Sequence, residues 1–369
     1  MLAIATLAVG CGSPGHAVPD SATARDAAAD VGIDAAPVTP WNAPTGDLLA
    51  GVTLADGWTD LRALRPPLVI VGGWTDSLFA TSDGKHLLLA YDEVDFSTFF
   101  ISMGVSAPLN GGPLAGLAPT TFKLFQADLG TSDWTITAHP IDAIVPDKAS
   151  ASPATNDAGD LLIFTDFTSG PNHLYYSQLA SGVWSAPTHL DFNSVSCNDD
   201  NAKIIGDLAT SVTIYFESNR ATPAGTEATC PSTNQRTLFT TTYSGGTFSP
   251  VTKVAGISEG TTSDDTQPWV SHDQNTMLFT SIRSGGYAVY QATRSGGGSF
   301  GAIHAIATPT ATVPFAGNVT LLGEASIVEQ PEGELLYMMC GVASNLANAM
   351  TYNDADHVAL VPCVARRPH

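Results

Sequence analysis

Four acidic residues are the part of this sequence best suited to chemistry. Asp76, Asp200, Asp265 and Glu324 each lie a few residues before a predicted turn, at corresponding places in a unit that the chain repeats. Crowded carboxylates repel one another unless a cation or a bound proton relieves them. If the fold brings the four together, they form a candidate site for a calcium ion or for another polar ligand. The alternative is that each carboxylate caps local backbone N–H groups and faces water.

One stretch, residues 264–306, contains a complete copy of the repeated unit. Residues 268–271 predict a short extended run, residues 276–281 an apolar strand and residues 287–293 a third strand. A glycine run then leads into a fourth strand around Phe300. Four short strands joined by Gly, Asn, Asp and Ser turns predict an antiparallel meander, which is the building block of a propeller blade.

The second strand of this unit recurs along the chain, which predicts about five blades. Its copies are residues 87–89, 161–164, 212–216, 277–279 and 335–337. The last copy lacks a fourth strand, whereas a segment of that form, around Trp58, precedes the first copy. We therefore predict an all-β fold, a single propeller of four-stranded blades in which an N-terminal strand completes the last blade.

The motif of the repeat resembles a known family. The pattern Asp-x-x-Pro-x-x-Ser-x-Asp, followed by a strand and Ser-x-Arg-x-Gly-Gly, is similar to the WD-like repeat of TolB-type propellers of the periplasm. The matching residues are Asp265, Pro268, Ser271, Asp273, Ser281, Arg283, Gly285 and Gly286, with a weaker echo at Ser218 and Arg220. The resemblance implies the fold, and it implies no single function, because such repeats support binding, scaffolding and catalysis. Our first hypothesis is a binding or scaffolding module that contacts its ligand at the mouth of the channel.

A second resemblance gives the alternative hypothesis. Five-bladed propellers of the arabinanase type hold three acidic residues in their channel, and glycoside hydrolysis uses an acid and a base on either side of the sugar. By this resemblance Asp76 is the candidate base, and Asp200 or Glu324 is the candidate acid. The second copy of the repeat has Ser150 near the equivalent place. The two hypotheses stay open at this point.

The N-terminus predicts export. An apolar run over residues 1–10 ends in Leu7-Ala-Val-Gly-Cys11, which resembles a bacterial lipobox and implies lipidation of Cys11. Gly12 after the cysteine implies sorting to the outer membrane. Residues 12–40 are rich in Ala, Asp and Pro and predict a flexible tether. The expected organisation is therefore 1–11 signal peptide and lipobox, 12–40 tether and 41–369 propeller.

Composition narrows the partners. A formal charge of −21 with only 14 Lys and Arg residues argues against a nucleic-acid or anionic-membrane surface. We expect an envelope protein or a polysaccharide as partner, membrane contact only through the lipid, no cofactor and a monomeric state.

The remaining cysteines, Cys197, Cys230, Cys340 and Cys363, are even in number, which in an exported chain predicts two disulfides. Three pairings are formally possible. Proximity along the chain favours Cys197 with Cys230 and Cys340 with Cys363.

Overall fold

The computed structural model describes residues 51–64, 74–92, 122–130, 134–146, 149–168, 171–221, 230, 235–258, 264–310, 319–342 and 359–369. The predicted lipobox at Cys11, the predicted tether and the predicted start of the propeller at residue 41 lie outside these ranges. Among the described helices, none is long and apolar enough to cross a membrane.

The described strands form five antiparallel sheets. Two strands precede the repeats, namely β1 (Val52–Leu54) and β2 (Thr59–Ala63). The first sheet contains β3 (Trp74–Ala80), β4 (His86–Asp92), β5 (Lys123–Leu129) and β6 (Trp134–Ala138), and the short helix α1 (Ile141–Ile144) follows it. The second contains β7 (Ser150–Thr155), β8 (Leu161–Asp166), β9 (His173–Ala180), β10 (Val183–Trp184) and β11 (Thr188–His189).

The third sheet contains β12 (Asp199–Asp207), β13 (Ser211–Ser218), β14 (Thr237–Ser244), β15 (Thr247–Phe248) and β16 (Thr252–Lys253). The fourth contains β17 (Asp265–Val270), β18 (Thr276–Ser281), β19 (Ala288–Thr293) and β20 (Gly301–Pro309). The fifth contains β21 (Val319–Gln330), β22 (Gly333–Val342) and β23 (Ala359–Pro368).

Side-chain hydrogen bonds within the connecting turn fix the first hairpin of a blade. In the fourth sheet the Ser271 hydroxyl donates to Asp273 Oδ1 (2.6 Å), and that oxygen also accepts the Asn275 backbone N–H (3.0 Å). Thr81 and Asp83 form the same turn in the first sheet. A hydroxyl and a carboxylate two residues apart therefore close the turn without help from the rest of the fold.

The five sheets pack face to face in a closed ring, with the fifth sheet against the first. The second strands are buried on both faces because each blade lies between two others. In β8, for example, Leu162, Ile163 and Phe164 are all fully buried. The predicted all-β, five-bladed propeller is confirmed.

The N-terminal segment closes this ring, as predicted. Strand β2 pairs with β23, with Thr59 opposite Arg366 and Ala63 opposite Cys363. Trp58 is only 3% exposed and packs with residues of the fourth and fifth blades. Strand β1 was not predicted, and it adds a fifth strand to the fourth blade by pairing with β20. The segment thus connects two neighbouring blades.

The cysteines follow the prediction only in part. Cys197 and Cys230 form a disulfide. The predicted Cys340–Cys363 disulfide is wrong, because both residues are buried thiols that form no disulfide. Cys340 lies opposite Val361, and Cys363 lies opposite Met338. The two cysteines are therefore diagonal neighbours on adjacent strands, and their thiols interact; burial and this contact raise the pKa of Cys363.

Candidate functional site

A β-bulge interrupts the innermost strand of every blade at the same place. The first residue of each bulge has a positive φ although none of the five is glycine. They are Ser77 (62°), Ser152 (51°), Asn201 (47°), Gln267 (52°) and Glu324 (52°). A left-handed conformation costs about 1–2 kcal/mol for such residues, and strain of this kind concentrates at functional sites. We call these five residues the bulge ring.

The bulge ring lines a cavity of about 40 Å³ on the channel axis. A second layer of residues lines the same cavity. Each lies two positions after a bulge-ring residue along its strand, where regular pairing with the next strand resumes. They are Phe79, Ala154, Lys203, Trp269 and Ser326. We call this layer the lower rung. A cavity of this volume holds a few water molecules or a small functional group, and it is too small for a whole sugar ring.

Glu324 joins three blades within the bulge ring. Its Oε2 accepts the backbone N–H of Leu78 (2.9 Å), and its Oε1 accepts Gln267 Nε2–H (3.2 Å). The Gln267 Oε1 in turn accepts the backbone N–H of Glu324 (3.2 Å). This reciprocal pair holds both side chains at the channel although their backbones are strained.

Asp200 lies one residue before the bulge and is 1% exposed. Its Oδ1 accepts the hydroxyls of Thr165 (2.7 Å) and Ser152 (3.1 Å) and its neighbour's backbone N–H (2.7 Å). Its Oδ2 accepts Asn172 Nδ2–H (3.1 Å). Donors from the second blade therefore surround this carboxylate from the third blade and fix its orientation.

Glu217 is an acidic residue of the site that the sequence did not single out. It lies directly opposite Asp200 on β13 and is fully buried. Its Oε1 forms an ion pair with Arg236, and its Oε2 accepts the Gln267 backbone N–H (2.7 Å). Burial raises the pKa of Glu217 to about 7; Arg236 opposes this shift and the Asp200 charge adds to it. The sequence could have indicated Glu217, because it lies opposite Asp200 when β12 and β13 are paired across the turn that joins them.

Lys203 of the lower rung was also missed. Its ammonium lies 4.2 Å from the ring centroid of Phe79 and 5.9 Å from that of Trp269, and the residue is 6% exposed. Burial lowers the pKa of Lys203 to about 8, against the opposing charge of Asp157. Counting equivalent positions from Trp269 would have placed it in the channel.

The four predicted site residues occupy three successive levels of the channel. Asp76 and Asp200 are equivalent, since each pairs just before its bulge, with Ala90 and Glu217 respectively. Glu324 is one level further along, in the bulge ring. The side chain of Asp76 lies outside the described residues.

Asp265 is one level earlier and faces a cation of its own blade. Its Oδ2 accepts Arg283 Nη2–H (2.7 Å), and the aspartate is fully buried. Asp199 and Arg220 repeat this ion pair in the third blade (2.6 Å). The Asp and the Arg of the repeat motif are therefore partners within a blade.

A metal site receives no support from the described residues, which contain no group of three or more His, Cys, Asp or Glu side chains placed to bind an ion. The carboxylate oxygens of Asp200 and Glu324 instead accept hydrogen bonds from donors within the protein. The arrangement is a rigid polar opening that can orient a small polar group. It presents no described pair of carboxylates free to act together on a substrate.

No protein-family model and no curated protein sequence matches the chain. Solved structures that it resembles include TolB from Acinetobacter baumannii (12% identity, TM-score 0.37, 80% of this chain and 54% of that chain). The chain thus spans about half the length of that TolB. A second is a protein of unknown function from Dyadobacter fermentans (11% identity, TM-score 0.46, 86% of this chain and 100% of that chain). A third is a GH62 hydrolase in complex with xylotriose (10% identity, TM-score 0.45, 84% of this chain and 97% of that chain).

Proposed function

We propose that this protein is an exported, lipid-anchored propeller that acts as a binding or scaffolding module at the bacterial cell envelope. The channel mouth, defined by the bulge ring, contacts the ligand or partner. The observation that carries the proposal is the ring itself. Five strained, non-glycine residues occupy equivalent positions, and contacts between blades fix the side chains of Ser77, Ser152, Gln267 and Glu324. A rigid polar opening of this kind suits recognition, because little conformational entropy is lost on binding.

The partner class follows from charge. The chain carries a net charge of −21, which favours a neutral polysaccharide or an envelope protein with a basic or neutral surface. Anchoring through Cys11 would hold the channel at the outer membrane, and the monomer would be the functional unit.

The test compares two glycine variants. Asn201→Gly removes a side chain of the mouth at a position whose φ of 47° suits glycine, so the fold should be kept. Ala302→Gly is the matched control, since it changes a residue with φ of 49° on the outer strand β20. We expect binding to envelope polysaccharide or protein fractions to weaken in Asn201→Gly and to be unchanged in Ala302→Gly. Equal binding by both variants would refute the channel mouth as the contact site.

The anchor is tested separately. With its native N-terminus in a Gram-negative host, the protein should partition into detergent, and Cys11→Ser should abolish this. Recovery of both forms from the aqueous phase would exclude lipid anchoring.

A carbohydrate-active hydrolase is the second candidate. One observation favours it: Glu217, with a pKa raised to about 7, lies opposite Asp200, which is the kind of unequal pair that acid–base chemistry uses. Against it, Glu217 is fully buried, and Arg236 and Gln267 occupy its oxygens. Hydrolysis of arabinan, xylan or aryl furanosides that is abolished by Asp76→Asn would favour the enzyme over the binding module.

A further inference from the structure

The lower rung contains one cation and more hydrogen-bond donors than acceptors. Three of its members, Phe79, Ala154 and Trp269, are apolar, apart from the indole N–H of the tryptophan. The other two are Lys203 and Ser326. The Ser326 oxygen accepts the Ala80 backbone N–H (3.3 Å), which leaves its own hydroxyl proton to be donated.

Lys203 is the feature that needs an explanation. It is 94% buried and lines the cavity, yet none of the described residues forms a hydrogen bond or an ion pair with its ammonium. Its contacts are the faces of Phe79 and Trp269. Aromatic faces offset part of the desolvation of a cation, but they accept none of its N–H groups as an oxygen would. A buried ammonium of this kind calls for an anionic acceptor.

We propose that the lower rung binds a carboxylate group, held by the ammonium of Lys203 and the hydroxyl of Ser326. The proposal rests on the proposed function in taking the channel as the contact site. It adds the chemical class of the ligand, which is a small carboxylate or a larger molecule that inserts its carboxylate into the channel.

Size and charge both favour a carboxylate. A cavity of about 40 Å³ has room for a group the size of a carboxylate, since one water needs about 10–15 Å³ of such volume. The walls formed by Phe79, Ala154 and Trp269 suit the carbon that carries the carboxylate. One negative charge matches one ammonium. A dianionic phosphate would bring a second charge close to Glu324, which lines the same cavity, and to Asp157, whose charge already acts on Lys203.

The probe is acetate, with acetamide as its neutral isostere, and binding to the full-length protein is followed by NMR chemical shifts and calorimetry. We expect saturable binding of acetate and none of acetamide. Lys203→Met should weaken acetate binding at least about tenfold, because it removes the only cation of the rung. Ser326→Ala should weaken it severalfold, and it decides the question if Lys203→Met does not fold. Lys85→Met removes the same charge from an exposed turn and should leave acetate binding unchanged.

Two larger probes distinguish the sources of the carboxylate. Galacturonate represents a single uronic-acid residue of an otherwise neutral polysaccharide, and acetyl-Ala-Ala, with its C-terminal amide as control, represents a peptide end. Whichever binds more tightly than acetate identifies the source. Absence of acetate binding to the folded wild type, or equal binding by Lys203→Met, overturns the inference. If an envelope partner still binds through the mouth in that case, the proposed function stands and only the carboxylate site fails.

Discussion

Buried polar side chains in this propeller act mainly by fixing their neighbours. His139 is an example: it is 3% exposed, its ring lies 5.4 Å from that of Trp184, and its Nδ1 accepts the Ile141 backbone N–H (3.3 Å). An imidazole nitrogen that accepts a hydrogen bond cannot carry a proton. Burial accordingly lowers the pKa of His139 to about 4.

The first prediction concerns acid stability. A folded pKa of about 4, below the ordinary value of 6.5, means that the unfolded chain takes up the proton first. The contribution of His139 to stability is therefore complete above pH 6.5 and is lost as the pH falls through 4, by roughly 3 kcal/mol. Urea unfolding at pH 7, 5.5 and 4 should show a smaller loss for His139→Gln, whose side chain does not titrate. Parallel curves for wild type and variant would contradict this.

The limits of sequence reasoning at the site are also found at single residues. Side chains alternate between faces along a regular strand, so counting back from a turn gives Asp76 and Asp200 equivalent backbone positions, each just before its bulge. Each bulge inserts one residue and breaks this alternation. Asp265 lies one level before Asp76 and Asp200, and Glu324 lies one level after them, within its own bulge. Placing them needs the position of the bulge in each strand, which the approximate distance to the turn does not give. Lys203 and Glu217 could not be ranked, because their burial depends on neighbouring blades that are far away in sequence.

At the scale of elements, the strands were predicted well where turn chemistry is local. The predicted strand at 276–281 is the observed β18, and the turn before it is closed by Ser271 and Asp273. Strand β1 carries no such signal. It has three residues, and only the free edge of β20 makes it a strand.

The second prediction tests an approach between blades. Gly256 has a φ of 86°, and a Cβ atom there would lie 1.9 Å from the carbonyl oxygen of Phe300 at the start of the outer strand of the next blade. Gly256→Ala should therefore destabilise far more than the roughly 1 kcal/mol that a left-handed alanine costs. Gly182→Ala is the control, with a φ of 79° and no atom within 4 Å of the added Cβ. Similar unfolding free energies for the two variants would mean that the approach is not tight.

The third prediction concerns the disulfide. Cys197 and Cys230 are 33 residues apart, and closing a loop of this size stabilises by about 2–4 kcal/mol. The double variant Cys197→Ser, Cys230→Ser should melt at a lower temperature than wild type. The double variant Cys340→Ser, Cys363→Ser keeps the disulfide, so reductant should lower its melting temperature by as much as it lowers that of wild type. Alkylation of the denatured, unreduced protein should label Cys340 and Cys363 and spare the other pair. Labelling of all four would exclude the disulfide.

At the scale of the whole molecule, the closure of the ring was predictable because it appears in the chain order. The last repeat lacks a fourth strand, and a segment of that form precedes the first repeat. The two ends of the chain fit together if the blades form a closed ring in which this segment completes the last blade. What the sequence did not show is that the same segment also extends the fourth blade through β1. The N-terminal residues therefore stabilise the boundary between the last two blades from both sides.

The last prediction follows from that double role. Deleting residues 1–40 should leave the melting temperature unchanged, because no described contact is lost. Deleting residues 1–56 removes β1 and its pairing with β20 and should cause a moderate loss. Deleting residues 1–66 also removes β2, exposes the edge of β23 and takes away Trp58. The Arg367 guanidinium lies over the Trp58 ring, 4.5 Å from its centroid, and loses this contact.

Trp58→Ala alone should reduce the free energy of unfolding by about 3–5 kcal/mol. Trp58→Phe is the matched control and should cost less, because most of the apolar contact remains. A graded series of melting temperatures is expected, and equal values for the shortest and longest deletions would mean that the N-terminus closes nothing.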